Sequence, residues 1–357
     1  MHVAAATPAT IHHRQTPATR RLDRLWRWLA ASEHDLTVFC PKWSTAERPI
    51  TDRSITAIYD VVTDAAGITY QWVTPSTTVD WPYRHRLPRA IFAADPDVVH
   101  ATLAPDVVLS GWTAARLARV PLVVEWYAPP PDGRLARMAA GRADRTIVPS
   151  HLIDERTRQV GGPALATRVV PTPISLSHIA AQSPTTAPEI LFADHLDADA
   201  NVESFLLGLA ELRAWDWSAG IIGDGPKRQQ YRKQAADLQL ADRIRFLGER
   251  SYAERIALYR DAHVFVQTAT HAPFAHELLL AMACGCVGIA EYYPDSSAHE
   301  LLVGVARGFR TTSPEELAAT IESASELEHR DIDESFEPFD TDRVLKRYLA
   351  VYRDVIG

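Results

Sequence analysis

Six polar residues that could do chemistry lie at the ends of predicted strands in the first half of the sequence. They are His12, His13 and Arg14 after the first strand, His100 at the end of a second, and Glu125 and Tyr127 at the end of a third. Ligands of parallel sheets bind at these carboxyl ends, where a carboxylate such as Glu125 can orient a hydroxyl or act as a general base. The alternatives are a buried ion pair between Glu125 and a nearby arginine, and packing of His100 between adjacent strands.

The second half carries a glycine turn and a helix start that both suit an anion. The turn Gly223-Asp-Gly-Pro226 ends a predicted strand. A predicted helix opens at 274–277, directly after a loop, so its first backbone N–H groups can face a phosphate. Glu277 in its first turn either contacts ligand hydroxyls or complements the helix dipole. Lys227 and Arg228 lie either at the ligand or on a polar helix face.

The elements that would position these residues alternate between short apolar strands and amphipathic helices. Strands are predicted over 2–7, 35–40, 97–101, 122–126, 145–148, 168–170, 189–193, 218–223, 243–247, 264–268, 285–289 and 308–310. Capping boxes at Ser251, Ser297 and Ser313 mark helix starts. Repeated strand–helix alternation predicts an α/β protein of two doubly wound, Rossmann-like domains facing across a cleft. We place these domains at 1–175 and 176–343, with a Pro-, Ser- and Thr-rich linker over 171–188.

Composition narrows the class of protein. A chain of 357 residues exceeds what one core fills, and 46% apolar with 23% charged residues is typical of a soluble globular protein. The net charge is +4 over 1–175 and −12 over 176–357, and no nucleic-acid motif is present. No apolar stretch approaches the ~20 residues of a membrane span, and the first residues lack a signal peptide's features. Three cysteines favour a reducing compartment, so we expect a cytoplasmic protein with buried thiols rather than a zinc site at 284–286.

Five strings in the second half occur in an order and spacing that point to one family. They are Ile221-Ile-Gly-Asp-Gly-Pro-Lys227, Ala241-Asp-Arg-Ile-Arg-Phe-Leu-Gly248, Leu258-Tyr-Arg-Asp-Ala-His-Val-Phe-Val266, the string 274–285 and Glu300. Looser matches in the first half cover 33–40, 97–100 and 143–150. On these residues the chain resembles the family-four (group 1) glycosyltransferases, which have the two-domain GT-B fold. The string 283–300 resembles a branch common in halophilic archaea.

The resemblance implies transfer of a sugar from a nucleotide-sugar donor to a glycan or lipid-linked acceptor, with retention of configuration and without a metal or other cofactor. The donor would lie on the second domain and the acceptor on the first, onto which the final helix, 344–357, would pack back. Matching positions place the donor at His195, Gly225, Lys227, Arg250, Phe274, Ala275, His276 and Glu300. The candidate catalytic residues are Glu277, Glu125 and His100, and the acceptor side is His12, His13, Arg14 and Tyr127.

The sequence also departs from the family. Two carboxylates eight positions apart that mark the family fall here on Ala272 and Leu280. The family's diphosphate-binding arginine and lysine fall on His195 and Ala200. His195 as an imidazolium can still pair with a diphosphate, with an ordinary pKa near ~6.5. These losses leave two rivals open: a non-catalytic homologue that binds an active enzyme, and a nucleotide-sugar epimerase.

One helix raises the question of membrane contact. In the helix predicted over 19–32, four arginines lie on the face opposite a Leu/Trp stripe. They are Arg20, Arg21, Arg24 and Arg27. Weak peripheral contact with anionic lipid at the inner face of the membrane is one interpretation. An ordinary basic surface helix whose apolar stripe faces the core is the simpler one.

Overall fold

The computed structural model describes residues 1–43, 61–161, 166–212 and 216–357. Contacts divide the chain into two compact units, here called unit 1 (residues 1–171 with 344–357) and unit 2 (residues 172–343). The break lies between Pro171 and Thr172, whereas the sequence places it after residue 175. The last helix is grouped with unit 1.

Unit 1 is built on a sheet of eight strands. They are β1 (His2–Ala6), β2 (Asp35–Cys40), β3 (Val61–Thr63), β4 (Thr69–Trp72), β5 (Val98–Thr102), β6 (Leu122–Glu125), β7 (Arg145–Val148) and β8 (Thr167–Val169). Their order is β3-β4-β2-β1-β5-β6-β7-β8, and within the described residues only β3 and β4 pair antiparallel. The central strands are buried along nearly their whole length because helices cover both faces of the sheet.

Two layers of helices enclose this sheet. The helices are α1 (Pro17–Ala30), α2 (Trp81–Ala93), α3 (Pro105–Ala118), α4 (Arg134–Ala140) and α5 (His151–Gly161). Helix α1 and the final helix share a core with one face of the sheet, and α2 to α5 share a core with the other. Thr16 caps α1 by accepting a hydrogen bond from the Thr19 N–H, and the Leu/Trp stripe of α1 is buried.

Unit 2 repeats the plan with six parallel strands. They are β9 (Ile190–Ala193), β10 (Ala219–Ile222), β11 (Ile244–Gly248), β12 (Val264–Gln267), β14 (Val287–Glu291) and β16 (Gly308–Thr311), with a separate small pair, β13 (His271–Ala272) and β15 (Asp295–Ser296). The main order is β11-β10-β9-β12-β14-β16. The helices are α6 (Leu176–Ala181), α7 (Val202–Glu211), α8 (Arg228–Asp237), α9 (Tyr252–Tyr259), α10 (His276–Ala283) and α11 (Pro314–Ser325), with 3-10 helices at Ala298–Leu302 and Glu334–Phe339. The final helix of the chain is α12 (Thr341–Ile356).

All twelve predicted strands are present, with their ends displaced by two residues at most. The sequence missed β3, β4, β13 and β15, which are two to four residues long. The predicted linker contains α6, whose Ile179 is fully buried.

The predicted helix caps have mixed outcomes. The capping box at Ser251 is confirmed, with both reciprocal hydrogen bonds to Glu254. Ser313 caps α11, but the Glu316 carboxylate accepts from Thr312 instead of Ser313. The box at Ser297 is wrong, because its hydroxyl donates to the Pro273 carbonyl at 3.0 Å and ties two loops together.

The three cysteines are buried free thiols, as the sequence predicts. Within the described residues, no helix combines the length and the apolar character needed to cross a membrane.

Candidate functional site

The carboxyl edge of the six-stranded sheet in unit 2 carries a carboxylate that the sequence analysis did not single out. Asp194 directly follows β9, and its carboxylate accepts hydrogen bonds from the His195 N–H (2.7 Å) and the Gln267 side-chain amide (3.2 Å). Gln267 is itself buried at the end of β12, the neighbouring strand. The signal that could have found both residues is their position, since each lies where a central strand ends.

Asp194 has an unusual titration. Burial raises the pKa of its carboxyl to about 6, partly opposed by the two hydrogen bonds, and the carboxylates of Glu277 and Asp197 act in the same direction as burial. No cation forms an ion pair with Asp194 within the described part of the chain. The group therefore changes charge close to neutral pH, at the edge of the sheet where ligands of this architecture bind.

The glycine turn after β10 packs against protein, not against an open site. Gly223 has φ +125°, and a Cβ placed there would lie 1.9 Å from the Asp194 carbonyl oxygen. A Cβ on Gly225 would lie 2.5 Å from the Leu196 carbonyl oxygen. These two glycines let the turn close onto the loop after β9, where the Leu196 N–H donates to the Asp224 carbonyl at 3.0 Å. The turn thus fixes the backbone around Asp194.

The predicted helix start is present as α10. Ala275 occupies the N-cap position without a side-chain cap, so first-turn N–H groups of α10 lack an intrahelical acceptor. Phe274 and Ala275 are buried and His276 is half-buried. The Glu277 carboxylate accepts a hydrogen bond from the Tyr259 hydroxyl at 2.7 Å and lies 3.4 Å from the Arg255 guanidinium. Glu277 is thus tied to α9.

The predicted cations of the donor site differ in whether they form ion pairs with carboxylates. His195 is exposed beside Asp194. Lys227 lies 3.7 Å from the Glu203 carboxylate, and Arg228 pairs with Asp224 at 3.0 Å. Arg250 is exposed and donates to the Glu249 carbonyl at 3.2 Å. Two of the four cations are therefore already partly neutralised.

A second polar group lies where β12 and β14 end. The Asn201 side-chain amide donates to the Thr268 carbonyl at 3.2 Å and to the Tyr293 hydroxyl at 2.8 Å. Tyr293 also hydrogen-bonds Glu291, a buried residue at the end of β14, and burial with this bond raises the pKa of Tyr293. The predicted donor residue Glu300 is half-buried within the 3-10 helix Ala298–Leu302. Sequence reasoning missed Asn201, Glu291 and Tyr293, although Glu291 ends a strand.

The histidines after β1 in unit 1 are held by neighbours. His13 accepts from the Thr10 N–H at 3.1 Å, and its other ring nitrogen bonds the Pro41 carbonyl at 3.1 Å. Burial lowers the pKa of His13, although the bond to Pro41 opposes this, so the ring is mainly neutral near pH 7. His12 stacks on Trp43 with ring centroids 4.6 Å apart. Of the three predicted acceptor residues in this loop, Arg14 is the exposed one.

Two predicted catalytic residues of unit 1 instead form a buried network. The Glu125 carboxylate accepts from the Arg21 guanidinium at 2.6 Å and from the Tyr348 hydroxyl at 2.9 Å, and lies 3.3 Å from the His100 ring. The other His100 ring nitrogen bonds the Tyr352 hydroxyl at 2.8 Å. All are essentially without solvent exposure, so Glu125 and His100 present no atom to a substrate as placed. Their catalytic assignment is corrected in favour of the alternative, a buried ion pair and strand packing.

The arginine of that pair is one that the sequence placed on a basic surface. Arg21 is buried, although it was grouped with the exposed arginines of the helix predicted over 19–32. Arg21 precedes Leu25 by four residues and so lies on the buried stripe of α1, a signal that was available. Burial would raise the pKa of Glu125, but Arg21 and His100 outweigh it and lower that pKa to about 2. Tyr127 is also buried, beside Arg21.

The described residues contain no group of three or more His, Cys, Asp or Glu side chains placed to hold a metal ion.

Family models identify both halves of the chain. Residues 176–336 match the model for glycosyl transferases group 1, and residues 18–178 match the model for glycosyltransferase family 4. The chain belongs to the group 1, family-4 glycosyltransferases. The sequence has no significant match among curated proteins.

Solved structures similar to this glycosyltransferase extend over its whole length. A glycosyltransferase from Rickettsia africae superposes with a TM-score of 0.79 at 14% identity, covering 100% of this chain and 98% of the other. Anabaena Alr3699/HepE in complex with UDP gives 0.76 at 17% identity, covering 99% and 100%. A sucrose-phosphate synthase from Thermosynechococcus elongatus gives 0.73 at 16% identity, covering 99% of each chain. The fold is therefore GT-B, with two Rossmann-like domains, as the sequence predicts.

Proposed function

We propose that this glycosyltransferase moves a sugar from a nucleotide-sugar donor to a glycan or lipid-linked acceptor, with retention of configuration and without a metal. The donor binds at the carboxyl edge of the six-stranded sheet in unit 2. The observation that carries the proposal is the start of α10, which follows the carboxyl end of β12 along the chain and has no side-chain cap at Ala275. Alr3699/HepE, which has the same fold, has been solved with UDP and with UDP-glucose.

Several residues at this edge contribute to donor binding, each in a different way. The first turn of α10 and the imidazolium of His195 stabilise the charge of the departing diphosphate. Lys227 assists when its contact with Glu203 opens. Glu277, held by Tyr259, orients hydroxyls of the donor. On the acceptor side, Arg14 and the loop after β1 remain the predicted contacts in unit 1.

Calorimetric titration with UDP, GDP and their common sugars tests the donor assignment, with either EDTA or Mg²⁺ present. Micromolar binding of one nucleotide, unchanged by EDTA, is the expected result. A turnover assay with candidate acceptors, followed by NMR of the product's anomeric proton, then tests retention. Failure of every nucleotide to bind a protein that melts cooperatively contradicts the proposal.

His195→Ala tests the diphosphate contact. Binding of the nucleotide should weaken about three- to tenfold because one contact with the diphosphate is lost. His329→Ala is the matched control, because His329 is also exposed but stacks on His263, which precedes β12 at the opposite edge of the sheet. Equal affinities of the two variants for the nucleotide remove His195 from the site.

A non-catalytic homologue is the second candidate. Glu277 is held by Arg255 and Tyr259, and two of the cations near the edge are paired with carboxylates, which favours a site with reduced catalytic power. This candidate predicts a stable fold without turnover for any acceptor, whether or not a nucleotide binds. Interconversion of the donor alone, without acceptor, would instead identify an epimerase.

A further inference from the structure

One helical face of unit 1 exposes apolar side chains that its fold does not use. Helices α2, α3 and α4 lie in one layer, and their inner side chains share a core with the sheet. Their outer side chains include five of the ten large hydrophobic residues that are exposed among the described residues. These are Trp81, Phe92, Leu117, Leu135 and Met138, each between 47% and 70% exposed. Scattered single residues of this kind are ordinary, but a concentration on one helical layer marks an interaction surface.

The same three helices are strongly basic. They carry six arginines and a single acidic residue, Asp106, which pairs with Arg84 at 2.9 Å. The arginines are Arg84, Arg86, Arg89, Arg116, Arg134 and Arg137, and all of them are exposed. Within the described residues Arg86, Arg89, Arg134 and Arg137 have no carboxylate partner.

The basic and apolar groups are interleaved at the end of this layer. The Trp112 ring lies under two guanidinium groups, Arg142 at 4.4 Å and Arg116 at 5.8 Å from its centroid. Because Arg142 follows α4 and Arg116 lies on α3, these contacts join the two helices. An open cavity of about 540 Å³ begins beside Trp112 and is also lined by Arg116 and Arg119, by Asp144, and by Arg145, which pairs with Asp354 at 2.9 Å.

We propose that the outer face of α2, α3 and α4, here called the α2–α4 face, docks on the surface of an anionic lipid bilayer. Its apolar side chains enter the boundary between headgroups and acyl chains, and its arginines meet lipid phosphates. Aliphatic Leu and Met side chains suit a bilayer and give nucleic acid nothing to recognise. Unit 1 has 23 basic and 17 acidic residues and unit 2 has 14 and 28, so an anionic surface attracts unit 1 and repels unit 2. The proposal moves the membrane contact from α1, whose apolar stripe is buried in the core, to the opposite face of the sheet.

Cosedimentation of the full chain with vesicles tests this, using phosphatidylcholine with and without phosphatidylglycerol at low and high salt. The charge variant is Arg86→Glu with Arg89→Glu, and the apolar variant is Leu135→Ser with Met138→Ser. The matched control is Arg20→Glu with Lys346→Glu, which reverses two exposed charges on the opposite helical layer. Thermal melts establish that each variant folds, and light scattering gives the oligomeric state.

The wild type and the control variant should bind the anionic vesicles and lose binding in high salt. Each arginine near an anionic surface contributes about fivefold, so the charge variant should bind at least about 30-fold more weakly. The apolar variant should lose about tenfold. Absence of binding to anionic vesicles, or a charge variant equal to the control, overturns the proposal. A dimer that the apolar variant abolishes also overturns it, because a second copy then covers the face.

Discussion

Asp194→Asn removes the charge of this half-buried side chain while keeping its shape, and so measures what the charge costs in stability. Both residues have the same outline, and an asparagine oxygen can still accept from the His195 N–H. The Gln267 amide needs only to turn over so that its oxygen accepts from the new amide group. What the substitution removes is the negative charge that burial, Glu277 and Asp197 all disfavour.

The size of the effect follows from the pKa. The carboxyl of Asp194 titrates at about 6 in the folded protein, against an ordinary value of 3.8. Because the folded pKa is raised, the wild type loses stability as pH rises from about 4 to about 6, and the loss persists above that range. At 1.36 kcal/mol per pKa unit, the loss is about 2–3 kcal/mol. The variant should therefore match the wild type near pH 4 and exceed it by this amount at pH 8.

Calorimetric melts of both proteins at several pH values measure this difference. An advantage of 2–3 kcal/mol corresponds to about 3–8 °C in Tm, depending on whether unit 2 melts alone or with the whole chain. A gap in Tm that is equal at pH 4 and pH 8, or a variant less stable at pH 8, refutes the reasoning. Nucleotide binding gives a second readout, because removal of the charge should strengthen diphosphate binding above pH 6.

Other consequences of the structure can be measured in the same way. Arg21→Met leaves the Glu125 carboxylate buried without its cation and should lower the free energy of unfolding in urea by about 3–5 kcal/mol. Adding Glu125→Leu should restore most of that free energy. A decrease below about 1 kcal/mol for Arg21→Met would mean that the ion pair is solvated. Glu125→Gln should retain turnover, since Glu125 lies in a structural network; loss of turnover with an unchanged Tm would return it to the catalytic site. Gly223→Ala combines a positive φ with a clash against the Asp194 carbonyl, whereas Gly304→Ala has a positive φ and open space. Gly304→Ala should lower the free energy of unfolding by about 1 kcal/mol, and Gly223→Ala should lower it clearly more. Equal melting temperatures of the two variants would contradict the account of the glycine turn.

The sequence predicted the strands well because each central strand is a short apolar run bounded by turn residues. The strand pattern did not show whether a polar residue on a strand is buried. Glu125 does end β6, whereas His100 lies in the middle of β5, and their partners Arg21, Tyr348 and Tyr352 are distant in the chain. In a parallel sheet covered by helices, polar residues at strand ends can form either a buried network or an exposed binding site. Strand periodicity alone does not distinguish these two cases. Asp194 was missed although it directly follows β9, and strand position does not show that Gln267 donates to its carboxylate or that Gly223 approaches its backbone carbonyl.

Glu125, which is buried, and Asp194, which is half-buried, show that the hydrogen-bond partners of a carboxylate distinguish a structural role from a place in a site. Glu125 pairs with the cation Arg21, which lowers the pKa of the carboxyl. Glu125 is therefore negatively charged at every physiological pH, and the ion pair stabilises unit 1. Asp194 is held by two neutral donors, and no cation pairs with it among the described residues, so its charge depends on pH. An anion arriving at the sheet edge favours the protonated form of Asp194. Nucleotide binding should therefore take up protons near and just above pH 6, and the heat of binding should vary with the ionisation enthalpy of the buffer. Binding without proton uptake in that range would mean that the nucleotide lies away from Asp194.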